Sequence, residues 1–165
     1  MGLVVKRGCD SSDTDRIELK RLLKEGGEIC LATFDELAAD APAVAFYCKG
    51  GILFAVGALK RPRASYRAKV FRNAGVAAVA ADFPFELGWV HVREEARGRG
   101  LGCLVSAAVL CRAGGANVYC TSRSGNSGMH RIAESLGFVP CGREYDSHEN
   151  PGETLRLFIR PSTLP

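Results

Sequence analysis

The stretch that decides the fold is Glu86–Cys103, which reads ELGWVHVREEARGRGLGC. It begins with alternating apolar residues typical of a strand, passes through a charged turn, and enters an apolar run typical of a helix. At the junction, Arg97–Gly102 holds three glycines and two arginines in six residues. The first turn of a helix has backbone N–H groups without intrahelical partners, and the helix dipole makes them attractive to phosphates. The junction is therefore predicted to bind a diphosphate.

The side chains of this junction suit the same task. Glycines carry no Cβ, so a ligand can approach the backbone closely, and arginines supply forked donors that match phosphate oxygens. The predicted phosphate-binding residues are Arg97, Gly98, Arg99, Gly100, Leu101 and Gly102. A Walker A loop is excluded because no Lys-Ser/Thr pair follows a glycine here, and a dinucleotide fingerprint fails because Cys103 stands at its last glycine position. An arginine-rich turn with flexible glycines remains the alternative.

Length and composition bound the class of protein. The 165 residues suit one domain, 1–165, with 161–165 as a short tail. No apolar run approaches the ~20 residues of a membrane helix, and the N-terminus lacks the order of a signal peptide. The seven cysteines form no C-x-x-C pair, which indicates reduced thiols of a cytoplasmic protein. The three histidines lack metal-ligand spacing, so no metal is expected.

Periodicity and turn residues predict an alternation of strands and helices along the whole chain. Ala74–Ala81 is expected to form a loop or short strand, and the helix after the phosphate-binding junction is expected to reach about Gly114. The predicted strands are Leu3–Lys6, Val44–Cys48, Ile52–Leu59, Phe83–Val92, Asn117–Ser122, Phe138–Tyr145 and Glu153–Arg160. The predicted helices follow Ser11–Asp15, span Leu31–Ala41, lie within Lys60–Arg72, follow Gly102 and span Ser127–Leu136.

The strand before the junction is predicted to have two different faces. Phe85, Leu87 and Trp89 alternate, with Phe83 before them, so they are expected to pack in the core. Glu86, Gly88 and Val90 are then expected to face a cleft on the opposite side.

A second block lies downstream, where Asn126 is followed after ten residues by Gly137-Phe138. Together with the strand–Arg-x-x-Gly-x-Gly–helix order at Arg97–Gly102, it resembles the GNAT family of N-acetyltransferases over about Leu3–Arg160. The resemblance implies an α/β fold with a mixed, mostly antiparallel central sheet of six to seven strands flanked by helices. It also implies transfer of an acetyl group from acetyl-CoA to a primary amine, by direct attack in a ternary complex.

The resemblance assigns residues to acetyl-CoA. Backbone groups of Val90 and Val92 are expected to pair with the pantetheine arm, and backbone N–H groups across Arg97–Gly102 are expected to hold the diphosphate. Asn126 is expected to reach the pantetheine or the thioester, and it can cap the following helix at the same time.

Catalysis needs a proton acceptor, because an amine of pKa ~10.4 is mostly cationic at pH 7. Removing its proton at that pH costs roughly 4.6 kcal/mol. Glu86 matches the glutamate that family members often use, although it can equally be a strand-end carboxylate paired with an arginine. The tyrosine that often protonates the leaving thiolate is replaced by Ala133. His130, one turn earlier, is the candidate acid, with a surface histidine as the alternative; Ser127 and Tyr145 are weaker options.

The acceptor is predicted only as a small-molecule or peptide amine. Asp146–Glu153 is acidic and can attract a cation, whereas Lys60–Arg72 is basic and suits an anionic acceptor, the CoA phosphates, or merely a solvated helix face. Nucleic acid is an unlikely partner because no aromatic stacking pattern accompanies the basic residues, no membrane partner is expected, and a homodimer is possible. The rival interpretation is a non-catalytic sensor or interaction module that binds CoA or acetyl-CoA.

Overall fold

The computed structural model describes residues 2–27, 31–148 and 150–162. The elements in chain order are β1 (Gly2–Lys6), α1 (Asp13–Glu25), α2 (Leu31–Asp40), β2 (Ala43–Lys49), β3 (Ile52–Lys60), α3 (Ala64–Asn73), β4 (Phe85–Val92), α4 (Leu101–Leu110), β5 (Val118–Arg123), α5 (Ser127–Ser135), β6 (Val139–Pro140), β7 (Tyr145–Asp146) and β8 (Thr154–Arg160).

The chain divides into two compact units, and strand β4 contributes to both. The first unit combines Met1–Arg61 with Leu87–Gly114, and the second combines Pro62–Glu86 with Gly115–Pro165. Strands of the first unit follow the order β1-β2-β3-β4, whereas those of the second follow β4-β5-β8-β6, with β7 also on β8. That residues 1–165 form a single domain stays a prediction.

The first unit is built around an apolar cluster between its sheet and helices α1 and α2. Ser12 starts α1 with a capping box, because its side chain accepts from the Asp15 amide while the Asp15 carboxylate accepts from the Ser12 amide. Strands β2 and β3 form the predicted hairpin, and Gly50 and Gly51 supply the positive φ of its turn. The buried members of the cluster include Leu19, Leu22, Leu23, Phe34, Phe46, Val56 and Trp89.

The second unit is organised by β8, which pairs antiparallel with β5, β6 and β7. Its core packs α3 against the sheet, with the Phe71 ring 5.3 Å from Phe83 and 5.2 Å from Tyr119 between centroids. On α3 the basic residues Lys69 and Arg72 are exposed, whereas Arg67 is half-buried. Tyr66 on the same helix is 45% exposed, whereas Val70 and Phe71 are buried.

Several predicted boundaries are corrected by the structure. Ala77–Asp82 forms a 3₁₀ turn rather than a loop or short strand, and strand β4 begins at Phe85. Helix α4 ends at Leu110, after which a 3₁₀ turn leads to Gly114 in the left-handed region. No helix among residues 2–27, 31–148 and 150–162 is long and apolar enough to cross a membrane.

Candidate active site

The loop of the first unit that is predicted to bind phosphate contains two glycines in a left-handed conformation. Gly98 and Gly100 both adopt left-handed backbone conformations, with φ of 74° and 75°, and Gly100 is the N-cap of α4. A left-handed turn is accessible to glycine at little steric cost. The Leu104 amide bonds to the Gly100 carbonyl at 2.9 Å, as expected when Gly100 is the N-cap. Gly98, Arg99 and Gly100 are exposed, whereas Leu101 is half-buried and Gly102 is buried.

One predicted member of this loop is already engaged. The Arg97 amide donates to the Glu94 carbonyl at 3.2 Å, and Arg97 Nε donates to the Val92 carbonyl at 3.1 Å. The amides available to an anion in the described part of the chain therefore begin at Gly98 rather than at Arg97. The Arg97 side chain instead ties the loop to the end of β4. Arg99 is exposed and adds positive charge beside the loop.

The edge of β4 presents backbone groups next to this loop. Within the first unit β4 is the last strand, and the Arg93 amide donates to Phe54 of β3 at 2.9 Å. Neighbouring amides in an extended chain point in opposite directions, so the Val92 amide points away from β3, and Val90 follows the same alternation. The predicted pantetheine contacts at Val90 and Val92 are therefore on the edge of this unit that β3 does not cover.

The regular alternation of β4 breaks at Trp89. This residue has φ of +53°, a left-handed conformation that bulky residues rarely adopt. Its ring packs 5.1 Å from that of Phe34. The Lys60 ammonium lies 5.4 Å from the ring centroid, and a Cβ at Gly88 would come within 2.6 Å of Lys60 Cε. Gly88 thus leaves room for the stem of Lys60, which is buried, although in the sequence it stands out only as the first residue of the basic stretch Lys60–Arg72.

Glu86 is buried, with 4% of its surface exposed, so its expected opening to a cleft is not seen. In the second unit β4 and β5 run parallel over two residue pairs, one of which sets Glu86 beside Tyr119. Paired residues on adjacent strands place their side chains on the same face of a sheet. Tyr119 contacts Phe71 of α3, so Glu86 lies on the α3-facing side.

The second predicted catalytic residue, His130, lies on the other face of this sheet. Its ring is 5.0 Å from that of Phe158, which is paired with Cys120, the residue after Tyr119. His130 Nε2 lies 3.1 Å from the Arg123 carbonyl, and since a carbonyl oxygen only accepts, Nε2 carries the hydrogen. The structure therefore does not bring His130 and Glu86 together, and an acid role for His130 stays a prediction.

Asn126 is the N-cap of α5, as its position before this helix predicts. Its Oδ1 accepts from the Met129 amide at 3.0 Å, and its Nδ2 remains a donor at an exposed position. The residue also lines a cleft of about 490 Å³ in the second unit. Among the residues that the structure describes, Arg123, Gly125, Gly152, Glu153 and Thr154 also line this cleft. Arg123 and Glu153 form an ion pair across it at 3.1 Å.

Two tyrosines, one buried and one half-buried, accompany Glu86, and the sequence does not identify them as a pair. Tyr119 is completely buried, and Tyr145 packs against the same core cluster. Burial raises the pKa of both phenols, and the nearby Glu86 carboxylate raises both pKa values further. Both hydroxyls therefore stay protonated at neutral pH. Tyr119 sits in the apolar run VYC of β5, whose pattern indicates only a core strand.

No group of three His, Cys, Asp or Glu side chains capable of holding a metal ion occurs in residues 2–27, 31–148 and 150–162. No family model matches the sequence, and no curated protein does so either.

Solved structures do match, over nearly the whole chain. Escherichia coli ElaA is 16% identical with a TM-score of 0.69, covering 96% of this chain and 98% of its own. The ribosomal-protein-S18-alanine N-acetyltransferase of E. coli is 14% identical, with a TM-score of 0.69 and coverage of 99% and 96%. The structure of yncA from Salmonella typhimurium, determined with its cofactor acetyl-CoA, is 13% identical, with a TM-score of 0.67 and coverage of 100% and 98%.

These similarities establish the architecture that the two sequence blocks predict. Residues 2–27, 31–148 and 150–162 contain eight strands, rather than the six or seven expected. Their pairing is mixed and mostly antiparallel: β4 runs parallel to β5, whereas β2 is antiparallel to β1 and β3, and β8 is antiparallel to β5, β6 and β7. The chain therefore has the fold of the GNAT acyl-CoA N-acyltransferases.

Proposed function

We propose that this protein is an acetyl-CoA-dependent N-acetyltransferase that acetylates a primary amine by direct attack in a ternary complex. The observation that carries the proposal is the start of α4, where the exposed, left-handed Gly98 and Gly100 lead directly into the first turn of the helix. The amides of such a turn form a site for linked phosphates. The yncA structure with acetyl-CoA supports this ligand, because it has the same fold.

The loop and the strand edge divide the binding of acetyl-CoA between them. Amides from Gly98 to Gly102 hold the diphosphate, while Arg97 and Arg99 supply positive charge. Val90 and Val92 offer backbone groups to the amides of the pantetheine arm, and Asn126 Nδ2 donates to the same arm. When bound, acetyl-CoA supplies an acetyl group activated as a thioester.

Glu86 is the proposed proton acceptor for the amine. The reaction must remove one proton from an ammonium before its nitrogen can attack, and a carboxylate in a buried position interacts strongly with a cation. The C–N bond then forms and the C–S bond breaks. The second amine proton neutralises the departing thiolate, so one proton in total is released to solvent.

The acid that protonates the thiolate is not supplied by the usual tyrosine position, which holds Ala133. His130 is the proposed acid in its place, and its bond to the Arg123 carbonyl would also orient the β5–α5 turn. A thiol of pKa ~8.5 is a moderate leaving group, so the thiolate can also leave before it is protonated. The same missing tyrosine favours the second candidate function, a CoA-binding sensor without transfer activity.

Release of CoA thiol separates the two functions. Purified protein with acetyl-CoA is tested against spermidine, an aminoglycoside, free lysine and a peptide with a free N-terminus. Glu86→Gln is expected to lower kcat about 10²-fold or more, the usual contribution of a general base, while CoA affinity by calorimetry is retained. Glu134→Gln, an exposed change on α5, is the matched control. Binding of acetyl-CoA with no amine-dependent thiol release would favour the sensor.

A further inference from the structure

The polar cleft of about 490 Å³ in the second unit has walls that the backbone holds in place. One wall is the turn that joins β5 to α5, and the other is the segment that enters β8. The Ser124 amide donates to the Thr154 carbonyl at 2.8 Å, which joins the two walls. The Asn126 amide donates to the Arg123 carbonyl at 2.9 Å, so the turn itself is also closed. The cleft is therefore formed before any ligand enters it.

The cleft contains a positive and a negative side chain in direct contact. Arg123 Nε lies 3.1 Å from Glu153 Oε2, and the two side chains are 34% and 40% exposed, so a ligand in the cleft can reach both. The first turn of α5 adds partial positive charge beside Arg123, because Asn126 is the N-cap of this helix. An exposed ion pair contributes little to stability, so a ligand can replace it at small cost.

This ion pair restricts the charges that a ligand can carry. A ligand with only a cation is attracted by Glu153 but repelled by Arg123, and a ligand with only an anion meets the reverse. A head group that carries an ammonium and a carboxylate on one carbon can set its carboxylate against Arg123 and its ammonium against Glu153. Each charge then faces its opposite, and a guanidinium can bind a carboxylate through two parallel bonds. The cleft therefore fits the head group of a free α-amino acid.

Asn126 connects this cleft with the proposed cofactor site. It lines the cleft, and its Nδ2 is the group proposed to donate to the pantetheine arm. A ligand in the cleft would therefore lie beside the arm that carries the acetyl group. The α-ammonium of such a ligand is held as a cation by Glu153, and a cationic nitrogen cannot attack a thioester. The attacking nitrogen must then be a second amine, on the side chain of the ligand.

We propose that the acceptor is a free diamino acid, with its α-carboxylate on Arg123 and its α-ammonium on Glu153, and that its side-chain amine is acetylated. The inference rests on the proposed transferase function. The side-chain nitrogen gives up one proton, which is released to solvent, and attacks the thioester carbon. The C–N bond forms, the C–S bond breaks, and a second proton from the nitrogen ends on the CoA thiol. The head group is unchanged by the reaction.

Binding to the cleft is tested without turnover. The full chain with bound CoA is titrated in a calorimeter with free diamino acids of increasing length, from 2,3-diaminopropionate to lysine. The one that binds most tightly is compared with its Nα-acetyl derivative, which lacks the α-ammonium, and with the diamine that lacks its carboxylate. Its affinity is expected to exceed that of both analogues at least about tenfold, because each analogue loses a charged hydrogen bond. Equal affinities, or no binding of any diamino acid, would overturn the proposal.

Substitutions test the two charges separately. Arg123→Gln is expected to raise the KM for the diamino acid at least about tenfold and to leave that for the diamine unchanged or lower. Glu153→Gln is expected to raise the KM for the diamino acid similarly and to leave that for the Nα-acetyl derivative unchanged or lower. Glu144→Gln is the matched control. Glu144 pairs with Arg156 at 2.9 Å at similar exposure, and it is not among the described residues that line the cleft.

The outcomes separate this inference from the proposed function. Wild-type protein that releases no thiol with any amine would overturn the transferase and the acceptor together. Thiol release with other amines, but with no diamino acid, would overturn the acceptor alone. A KM that rises equally for the diamino acid and for both analogues would assign Arg123 and Glu153 a structural role and would likewise overturn it. The affinities of the wild type decide the question even if a variant fails to fold.

Discussion

His91 shows how one residue of β4 is constrained by its neighbours. Its side chain is 9% exposed and lies against the end of α1, where a Cβ built on Gly26 would come within 2.3 Å of the imidazole Nδ1. Gly26 has an ordinary right-handed backbone conformation, so the space and not the φ angle requires glycine here. The next residues along the chain lead into the phosphate-binding loop, so this contact fixes the strand close to where a ligand would sit.

Gly26→Ala is therefore expected to destabilise the fold by about 1–3 kcal/mol, the usual cost of overfilling a packed site. Urea unfolding measures the change. Adding His91→Ala removes the ring that the new methyl group meets, so the double variant is expected to recover at least about 0.5 kcal/mol relative to additivity. If the two changes in the free energy of unfolding simply add, the His91 imidazole is not the group that excludes a side chain at position 26.

The pH dependence of stability follows from the same side chain. Burial lowers the pKa of His91 below its ordinary 6.5, Arg97 and Arg93 lower it further, and Glu25 opposes them. Below about pH 6.5 the unfolded chain binds this proton while the folded chain does not, so the free energy of unfolding falls as pH decreases. Above pH 6.5 the contribution is constant. Urea unfolding between pH 5 and 8 is expected to show a steeper loss for the wild type than for His91→Asn, and equal slopes would contradict this.

At the scale of elements, the glycines at the two ends of helix α4 allow a direct comparison. Gly100 before its start and Gly114 after its end have left-handed φ values of 75° and 60°, and an added Cβ would meet no atom within 4 Å at either position. Alanine at either position is expected to cost about 1 kcal/mol of backbone strain. Only Gly100→Ala is expected to weaken CoA binding, by roughly tenfold in calorimetry, because only that glycine precedes the phosphate-binding amides. Equal affinities of the two variants would remove the loop from the site.

Local signals explain which elements the sequence could predict. The phosphate-binding loop, the Gly50-Gly51 hairpin and the Ser12 cap depend on residues a few positions apart, so their geometry is visible in the sequence. The separation of Glu86 from His130 depends on how β5 pairs with β4 and β8, and that register joins residues far apart in the chain. The left-handed Trp89 has no local signal, because alternation along β4 continues through it in the sequence.

At the scale of the whole molecule, the two compact units pose the question of cooperativity. Trp89 is the single tryptophan and belongs to the core of the first unit, so its fluorescence reports that unit, while circular dichroism reports both. If residues 1–165 form one domain, the two signals are expected to give coincident urea transitions. CoA at 100 times its Kd is expected to stabilise both by about 2.7 kcal/mol. Separate transitions, with CoA shifting only the fluorescence, would contradict the single domain.

The unusual backbone at Trp89 has a consequence for how this protein tolerates change. A left-handed tryptophan persists only where its surroundings determine its conformation, at a cost of order 1–3 kcal/mol. Here the surroundings are the Phe34 ring on one side and the Lys60 stem on the other. The contact between the Trp89 and Phe34 rings therefore determines the direction in which Val90 and Val92 present their peptide groups. Substitution of Phe34 by a smaller residue should let the backbone at Trp89 relax to a regular strand conformation. The peptide groups of Val90 and Val92 would then turn, so ligand binding would be lost under conditions in which the fold persists.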